Sequence, residues 1–264
     1  MRIAVSHLLQ FDDPCILFPL HREAAPFLRE FRPQERAPGA PVRARFCGPA
    51  WLTVLVLETG IGAARTETAL TWVLGQPEFG KVPYRPKLVL SAGFAGGLQE
   101  QLQVGDVLLA DEVVDLVGNR WPTTWPGELP TTEWRPPIQR GRFLSVPQLV
   151  GDPSEKRRLG EKYQAAALDM ESAHVARMCS KQGIPFGCVR VVSDALATPL
   201  SPRLVSLLAG GRVSWLALAG LLLRAPGSLG ELWRLAKDTR FAAGQLGTAL
   251  GELLTLTLPG GKEL

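Results

Sequence analysis

Residues 87–97 read Lys-Leu-Val-Leu-Ser-Ala-Gly-Phe-Ala-Gly-Gly, and this stretch decides the fold class. Its first half is largely apolar and predicts a buried strand, which runs directly into the glycine-rich residues Gly93–Gly97. Glycines at the carboxyl end of a buried strand let the backbone approach a flat ligand closely. No lysine, serine or threonine directly follows the last glycine, so the stretch does not match a phosphate-binding P-loop. We expect a ligand crevice here; the alternative is a plain turn.

The segments around this strand alternate between strands and helices. Several strands are apolar on both faces, which is typical of a sheet covered by helices on both sides. The pattern predicts an α/β fold, namely a three-layer sandwich with a mixed central sheet flanked by helices, plus a helical C-terminal extension. We assign residues 1–202 to a catalytic domain and residues 203–264 to the extension packed on it. Predicted strands lie at 15–20, 42–47, 51–58, 87–92, 106–114, 165–168 and 185–192, and predicted helices at 21–31, 62–74, 171–182, 203–224 and 228–255, with a further helix starting after the cap Asp152.

The composition excludes several classes of protein. The 264 residues are 46% hydrophobic and 20% charged, which is typical of a globular chain. The net charge is +4 without a dense basic run, which argues against nucleic-acid binding. The N-terminus lacks the features of a signal peptide, and the longest apolar run, 213–223, is shorter than the ~20 residues that span a bilayer. We therefore expect a cytoplasmic protein.

The cysteines and histidines form no metal-binding or redox pattern. Their spacing matches neither a zinc site nor a disulfide framework, so we expect reduced, buried thiols and no metal. These residues are Cys15, Cys47, Cys179, Cys188, His7, His21 and His174.

A second glycine motif, Gly60-Ile61-Gly62, follows a strand and opens a helix. It lacks the third glycine of a dinucleotide fingerprint, and no acidic residue ends the next strand, so NAD binding is not expected. A tight strand-to-helix turn is the simplest interpretation. The alternative is that its backbone N–H groups face an anion or a substrate hydroxyl.

Acidic residues follow two other predicted strands. Asp169-Met170-Glu171 lies at a strand-to-helix junction, and Ser193-Asp194 ends the strand 185–192. Taken singly, Glu171 is typical of a helix-starting acid and Asp194 of a cap after a strand. Both lie at the rim where α/β sheets place their ligands, so together with the glycines they predict one crevice.

Five motifs in order carry a resemblance to a known family. They are Thr59–Gly62, Ser91–Leu98, Val104–Val107, Asp169–Glu171 and Val192–Asp194. In this order the chain resembles the nucleoside phosphorylase/nucleosidase superfamily, and within it the methylthioadenosine/S-adenosylhomocysteine nucleosidases. The resemblance covers about residues 15–200.

The resemblance implies a role for each motif residue. Asp194 matches the acid that protonates the purine at N7, Glu171 the carboxylate that holds the ribose hydroxyls, and Met170 the side chain packed on the sugar. Glu23 matches the acid that activates water. A carboxyl group that protonates a leaving base needs a raised pKa in a partly closed site. The remaining expected substrate contacts are Gly93, Phe94, Ala95, Gly96 and Ser193, with Leu144 and Ser145 at the base.

The nucleophile is left open by the sequence. Glu23 follows His21-Arg22 rather than further acids, which leaves its charge open. Gly62, Arg22 and Arg65 are candidates for binding phosphate as the attacking group. The sequence slightly favours phosphorolysis over hydrolysis, because of the subfamily resemblance of the tail. No cofactor is expected, and phosphate is a possible co-substrate.

The C-terminal extension carries a second, less specific resemblance. The runs Leu221–Pro226 and Leu232–Arg240 are similar to the tail of hopanoid-associated nucleoside phosphorylases, which implies removal of adenine from adenosylhopane. Apolar residues of 215–223 are flanked by Arg212 and Arg224. Such a surface could line an apolar channel for the 5′-substituent or lie on a membrane surface. The alternative is that it packs on the protein's own core or on a second subunit. We expect three tryptophans either to line the same channel or to form a packed loop: Trp121, Trp125 and Trp134.

Alternative functions remain at this point. One is a housekeeping hydrolase of methylthioadenosine and S-adenosylhomocysteine, and another is a non-catalytic nucleoside-binding module. A different base, such as uracil, is a third. The resemblance also implies a homodimer in which a neighbour completes the site.

Overall fold

The computed structural model describes residues 13–49, 52–75, 77–79, 82–125, 137–202, 205 and 228–257. Most predicted strands and helices are confirmed, and their observed ends differ from the predicted ends by at most five residues. The predicted helix 203–224 lies outside the described residues apart from Val205, and so does Trp134. The elements in chain order are β1 (Cys15–Phe18), α1 (His21–Glu30), β2 (Pro33–Arg36), β3 (Arg43–Cys47), β4 (Val54–Glu58), α2 (Ala63–Leu74), β5 (Glu78–Phe79), β6 (Val82–Pro83), β7 (Val89–Gly97), β8 (Val107–Asp115), β9 (Arg120–Pro122), β10 (Ile138–Ser145), α3 (Pro153–Tyr163), β11 (Ala167–Asp169), α4 (Ser172–Gln182), β12 (Phe186–Asp194) and α5 (Ser228–Thr257).

The central sheet is mixed, as predicted. Its strand order is β11-β10-β8-β12-β7-β1-β4-β3-β2, and β9 pairs with β8. Strand β1 runs parallel to β4 and β7, whereas β12 runs antiparallel to β8. Strand β11 also pairs back onto β7, with Leu168 opposite Gly96. Strands β7, β12, β8, β10 and β11 therefore form a closed ring at one end of the sheet.

The glycine-rich residues Gly93–Gly97 belong to β7, so the strand predicted at 87–92 continues to residue 97, and the alternative of a plain turn does not hold. Strand β7 pairs with β12 up to Gly96, opposite Asp194, and with β11 on its other side. A Cβ atom on Gly96 would lie 3.3 Å from Oδ2 of Asp194, and one on Gly93 would lie 3.0 Å from Oε1 of Glu23. Glycine is needed here because two carboxyl groups pack directly on the strand.

Helices cover both faces of the sheet and complete the three layers. Helices α2 and α4 pack on one face through a buried cluster that includes Leu70, Val73 and Val175. Helices α1 and α5 pack on the other face, where Phe27 and Leu246 belong to a second buried cluster. The predicted α/β sandwich is therefore confirmed. None of the described helices is both long enough and apolar enough to cross a membrane.

Helix α5 is an integral part of the second face. A Cβ atom on Gly247 would lie 2.8 Å from Cβ of Pro26, so α5 and α1 are in close contact. Three leucines of α5 are fully buried against the rest of the protein: Leu246, Leu250 and Leu254. The C-terminal part of the predicted extension thus shares the core of the sandwich. The proposed boundary at residue 202 stays a prediction.

Candidate active site

A cavity of about 340 Å³ opens where β1, β7, β11 and β12 end. Its size is that of a small-molecule pocket. It is lined by Pro19, Leu20, Arg22, Glu23, Ile61, Phe94, Ala95, Gly96, Leu149, Val150, Leu168, Asp169, Met170, Glu171, Ser193, Asp194, Leu200, Leu235 and Thr239.

The structure brings most of the predicted site residues to this cavity. Gly93 lies behind Glu23, and Gly62 contacts Glu171, so both support the cavity without forming its wall. Arg65 is exposed and packs beside Gly60. The predicted residues that line the cavity are Glu23, Arg22, Phe94, Ala95, Gly96, Met170, Glu171, Ser193 and Asp194.

Leu144 and Ser145 are not among the described residues that line the cavity, so the structure does not bring them to it, and their expected role as base contacts stays a prediction. Both end β10, where Leu144 is fully buried in a third core cluster and Ser145 pairs with Asp169 of β11. The chain must continue beyond the strand before it reaches the cavity. The residues of this segment that line the cavity are Leu149 and Val150, in the loop before α3.

Glu23 is held by the backbone on both of its carboxyl oxygens. It lies in the first turn of α1 and is 3% exposed. The Leu20 N–H donates to Oε2 over 2.6 Å, and the Phe94 N–H donates to Oε1 over 2.8 Å. Burial raises the pKa of Glu23 to about 8, while these N–H groups lower it and the charge of Glu171 raises it. Glu23 is therefore fixed in position and titrates near neutral pH.

Glu171 is at the N-cap of α4, but its side chain does not cap the helix. The Gly62 N–H donates to Oε1 of Glu171 over 2.9 Å, so the anion that this glycine motif faces is the protein's own carboxylate. Burial raises the pKa of Glu171 to about 7, and the charge of Asp169 adds to the rise. The helix is capped by Asp169, whose Oδ1 accepts from the Ser172 N–H and hydroxyl.

A buried arginine behind the cavity escaped the sequence analysis. Arg190 is fully buried in β12, and its Nε donates to Oδ2 of Asp169 over 2.7 Å. A second guanidinium nitrogen donates to the Ser91 hydroxyl over 2.8 Å. This charge lowers the pKa of both Glu23 and Glu171. The signal was an arginine within an otherwise apolar strand, since a buried charge requires a partner.

Asp194 lies at the end of β12, where a bulge interrupts the pairing between Val192 and Asp194. The Ser193 hydroxyl donates to Oδ1 of Asp194 over 2.7 Å, and Nζ of Lys156 forms an ion pair with Oδ2. Burial raises the pKa of Asp194, and the ion pair with Lys156 acts against that rise. A carboxyl group in this setting can exchange a proton with a ligand in the cavity.

Lys156 was also missed. It lies on α3, which begins at the predicted cap Asp152, and its neighbours on the buried face are Leu159 and Gly160. A lysine at an apolar position of an amphipathic helix was the available signal. Trp121 and Trp125 do not line the cavity within the described residues; Trp125 packs against Gly187 instead. No three metal-ligating side chains cluster in the described part of the chain.

The family model of the phosphorylase superfamily matches residues 15–130 and 127–204. The chain belongs to the phosphorylase superfamily. As a member of the phosphorylase superfamily, it is an enzyme of the nucleosidase or phosphorylase type.

Curated relatives of this phosphorylase superfamily member include two bacterial 5′-methylthioadenosine/S-adenosylhomocysteine nucleosidases. That of Marinomonas sp. (strain MWYL1) is 30% identical over 172 residues, covering 57% of this chain and 71% of the relative. That of Bacillus cereus (strain G9842) is 27% identical over 163 residues, covering 53% of this chain and 68% of the relative.

Solved structures show the same fold. The 5′-methylthioadenosine/S-adenosyl homocysteine nucleosidase of Helicobacter pylori superimposes with a TM-score of 0.66 at 20% identity, covering 93% of this chain and 99% of that one. The 5′-methylthioadenosine nucleosidase of Arabidopsis thaliana gives a TM-score of 0.68 at 14% identity, covering 96% and 99%. The coverage extends to nearly the whole of this chain, which agrees with the packing of α5 into the core.

Proposed function

We propose that this protein cleaves the N-glycosidic bond of an adenosine-type nucleoside and releases adenine. One observation carries the proposal: three buried carboxyl groups, from Glu23, Glu171 and Asp194, reach a single cavity from three different elements. Breaking a glycosidic bond needs an acid for the leaving base, a negative charge beside the cationic sugar and a base for the nucleophile. The similarity to nucleosidases that act on 5′-substituted adenosines supports an adenine base.

Each carboxyl group suits one of these tasks. Asp194 has a raised pKa and would protonate N7 of the base as the bond breaks. Glu171, fixed by the Gly62 N–H, would bind the ribose hydroxyls and stabilise the positive charge that develops on the ring. Glu23 would accept a proton from water, for which it must be ionised, and its pKa in the free protein is about 8. A positive charge on the adjacent sugar would lower that pKa and favour the ionised form. The reaction needs no cofactor.

The contacts favour water over phosphate as the nucleophile. Of the three phosphate candidates, Gly62 already donates its N–H to Glu171, and Arg65 is exposed beside Gly60. Arg22 reaches the cavity but is itself exposed. We therefore infer hydrolysis, although the resemblance of the tail slightly favoured phosphorolysis. Release of adenine at the same rate with and without phosphate is the expected result.

For the 5′-substituent we propose a large apolar group, as in adenosylhopane. Leu149, Val150, Leu200 and Leu235 form an apolar side of the cavity. Leu235 belongs to the run Leu232–Arg240 that is similar to hopanoid-associated nucleoside phosphorylases. The segment 215–223, which also supported this substrate and a membrane contact, lies outside the described residues. The named activity of the curated relatives supports the alternative, methylthioadenosine and S-adenosylhomocysteine.

One assay tests these proposals together. Purified protein is incubated with methylthioadenosine, S-adenosylhomocysteine and a long-chain 5′-alkyl adenosine, and adenine is quantified by chromatography. Preference for the long-chain compound is expected, and preference for the small thioethers would defeat the lipid proposal. Nucleoside binding without any adenine release would identify a non-catalytic binding module. The homodimer stays a prediction.

A further inference from the structure

The side chain of Lys156 makes its described polar contacts at one place, the end of β12. Its side chain is fully buried, and its Nζ is ion-paired with Oδ2 of Asp194. The same Nζ donates to the Ala195 carbonyl over 3.1 Å and to the Asp194 carbonyl over 3.5 Å. A buried lysine costs free energy unless it is paired. These contacts therefore fix the ammonium group against the carboxyl group that faces the cavity.

The donors around Asp194 create a difficulty for its role as an acid. Oδ2 accepts from the Lys156 ammonium group, which is the arrangement of an ionised carboxylate. Oδ1 lies 2.7 Å from the Ser193 hydroxyl, which also lies 3.3 Å from the Ala95 carbonyl. The other charged side chains that line the cavity are Glu23 and Arg22 from the α1 side and Asp169 and Glu171 from the α4 side. Among the charged side chains of the described residues, Lys156 is the one hydrogen-bonded to the carboxyl oxygens of Asp194, and the Ser193 hydroxyl beside it is too weak an acid to supply a proton.

We propose that Lys156 is a positioning residue that holds, through Asp194, the proton that the leaving base receives. This inference rests on the proposed function. A proton moves from Nζ of Lys156 to the Asp194 carboxylate, and a carboxyl proton passes to N7. The C1′–N9 bond breaks with its electron pair on the base. Water adds to C1′ and loses a proton to Glu23, which returns it to solvent. After adenine leaves, Lys156 regains a proton from solvent through Asp194.

The pH profile of Lys156→Met separates this role from a purely electrostatic one. In the proposed role, Lys156 and Asp194 share the one proton that reaches the base. Without the amine, Asp194 must hold this proton itself, and a carboxylic acid loses its proton at lower pH than an amine does. The alkaline limb of kcat/KM then moves to lower pH, and kcat at pH 8 falls about 10²-fold with KM little changed. If Lys156 only stabilises the Asp194 carboxylate, its loss favours protonated Asp194, and the alkaline limb moves to higher pH. That second result overturns the proposal.

The control is Lys162→Met, the same substitution at an exposed position of α3; it should leave the profile unchanged. Thermal unfolding shows whether Lys156→Met folds. If it does not, the pH profile of the unmodified protein decides. An alkaline limb of kcat/KM above about pH 9 supports the shared proton, and a limb at any lower pH overturns it. If the unmodified protein releases no adenine, the proposed function itself fails. Adenine release with a Lys156→Met profile equal to the control's rejects only the role of Lys156.

Discussion

The two sides of the cavity are built by different parts of the fold. The acidic side, formed by Glu23, Glu171 and Asp194, comes from the ends of the strands and the first turns of the helices that follow them. The apolar side, formed by Leu149, Val150, Leu200 and Leu235, comes from loops and from α5. The carboxyl groups of the acidic side are held in place by backbone N–H groups and buried cations. The apolar side has no polar side chain, so it can contact a ligand only through packing. In the proposed function, the first side would set the reaction and the second would set the 5′-substituent.

The largest effect is expected on the acidic side. Asp194→Asn keeps the size of the side chain but removes the proton donor, so kcat should fall about 10²- to 10⁴-fold. Ligand binding should persist because the cavity keeps its shape. Adenine release and equilibrium binding of a non-cleavable analogue measure the two quantities. Asp111→Asn is the control, since Asp111 is half-exposed and paired with Arg140 away from the cavity. An unchanged kcat in Asp194→Asn would remove the basis of the proposed chemistry.

The helix that carries part of the apolar side should be essential for stability. Leu246 of α5 is fully buried, and truncating it to alanine should cost about 2–5 kcal/mol in the free energy of unfolding. Trp233 of the same helix is 70% exposed, so Trp233→Ala should change that free energy by about 0.5 kcal/mol or less. Urea denaturation compares the two variants. Equal values would mean that α5 is an appendage and not part of the core.

The acidic side was largely predictable from the sequence. Glu171 and Asp194 each follow an apolar strand, which predicted both at the ligand-binding rim of the sheet. The structure brings them to one cavity although β11 and β12 run in opposite directions, because β11 pairs antiparallel with the end of β7 and β12 pairs parallel with it. The buried cations behind them were not predictable, because both reach their partners only through tertiary packing. Lys156 contacts Asp194 across 38 residues of sequence, and Arg190 contacts Asp169, close to Glu171, across 21. The structure also shows that the glycines belong to a strand, since the ring of strands closes on them.

The apolar side was predicted only in outline. The base contacts were expected at Leu144 and Ser145, but no local pattern reveals how far the chain runs beyond β10 before it reaches the cavity. Strand β10 itself was missed because its first half is polar and partly exposed, with Arg140 paired to Asp111 of the neighbouring strand. Loops and long-range helix contacts depend on tertiary packing, and a specificity surface made from them is not encoded in a short motif.

A pH-dependent effect on stability should distinguish Glu23 from the apolar side. Folding raises the pKa of Glu23 from 4.5 to about 8, so the folded protein binds more protons than the unfolded chain in this range. The contribution of Glu23 to stability is therefore fully present below pH 4.5 and is lost as the pH rises through about 8. Glu23→Gln cannot ionise and escapes this loss.

Denaturation of Glu23→Gln and the unmodified protein at pH 5 and pH 9 measures this difference. Between these two pH values the free energy of unfolding of the variant should rise by about 2 kcal/mol relative to that of the unmodified protein. One pKa unit corresponds to about 1.4 kcal/mol, and relaxation of the protein around an ionised Glu23 reduces the total. Leu149→Ala, on the apolar side, should show a difference that is independent of pH. Parallel pH dependences for Glu23→Gln and the unmodified protein would show that Glu23 titrates normally in the folded state.

The smallest effect is expected from Leu235→Ala, and it bears most directly on the substrate. Leu235 is half-buried at the cavity, so truncation should leave the fold intact and remove contact with an apolar 5′-group. The loss of a few methylene contacts changes kcat/KM by about tenfold. That decrease should appear with a long-chain 5′-alkyl adenosine and be absent with adenosine, which has no such group. Leu232→Ala, one turn earlier and away from the described cavity wall, is the matched control. An equal decrease for both substrates would mean that Leu235 supports the acidic side and does not select the 5′-substituent.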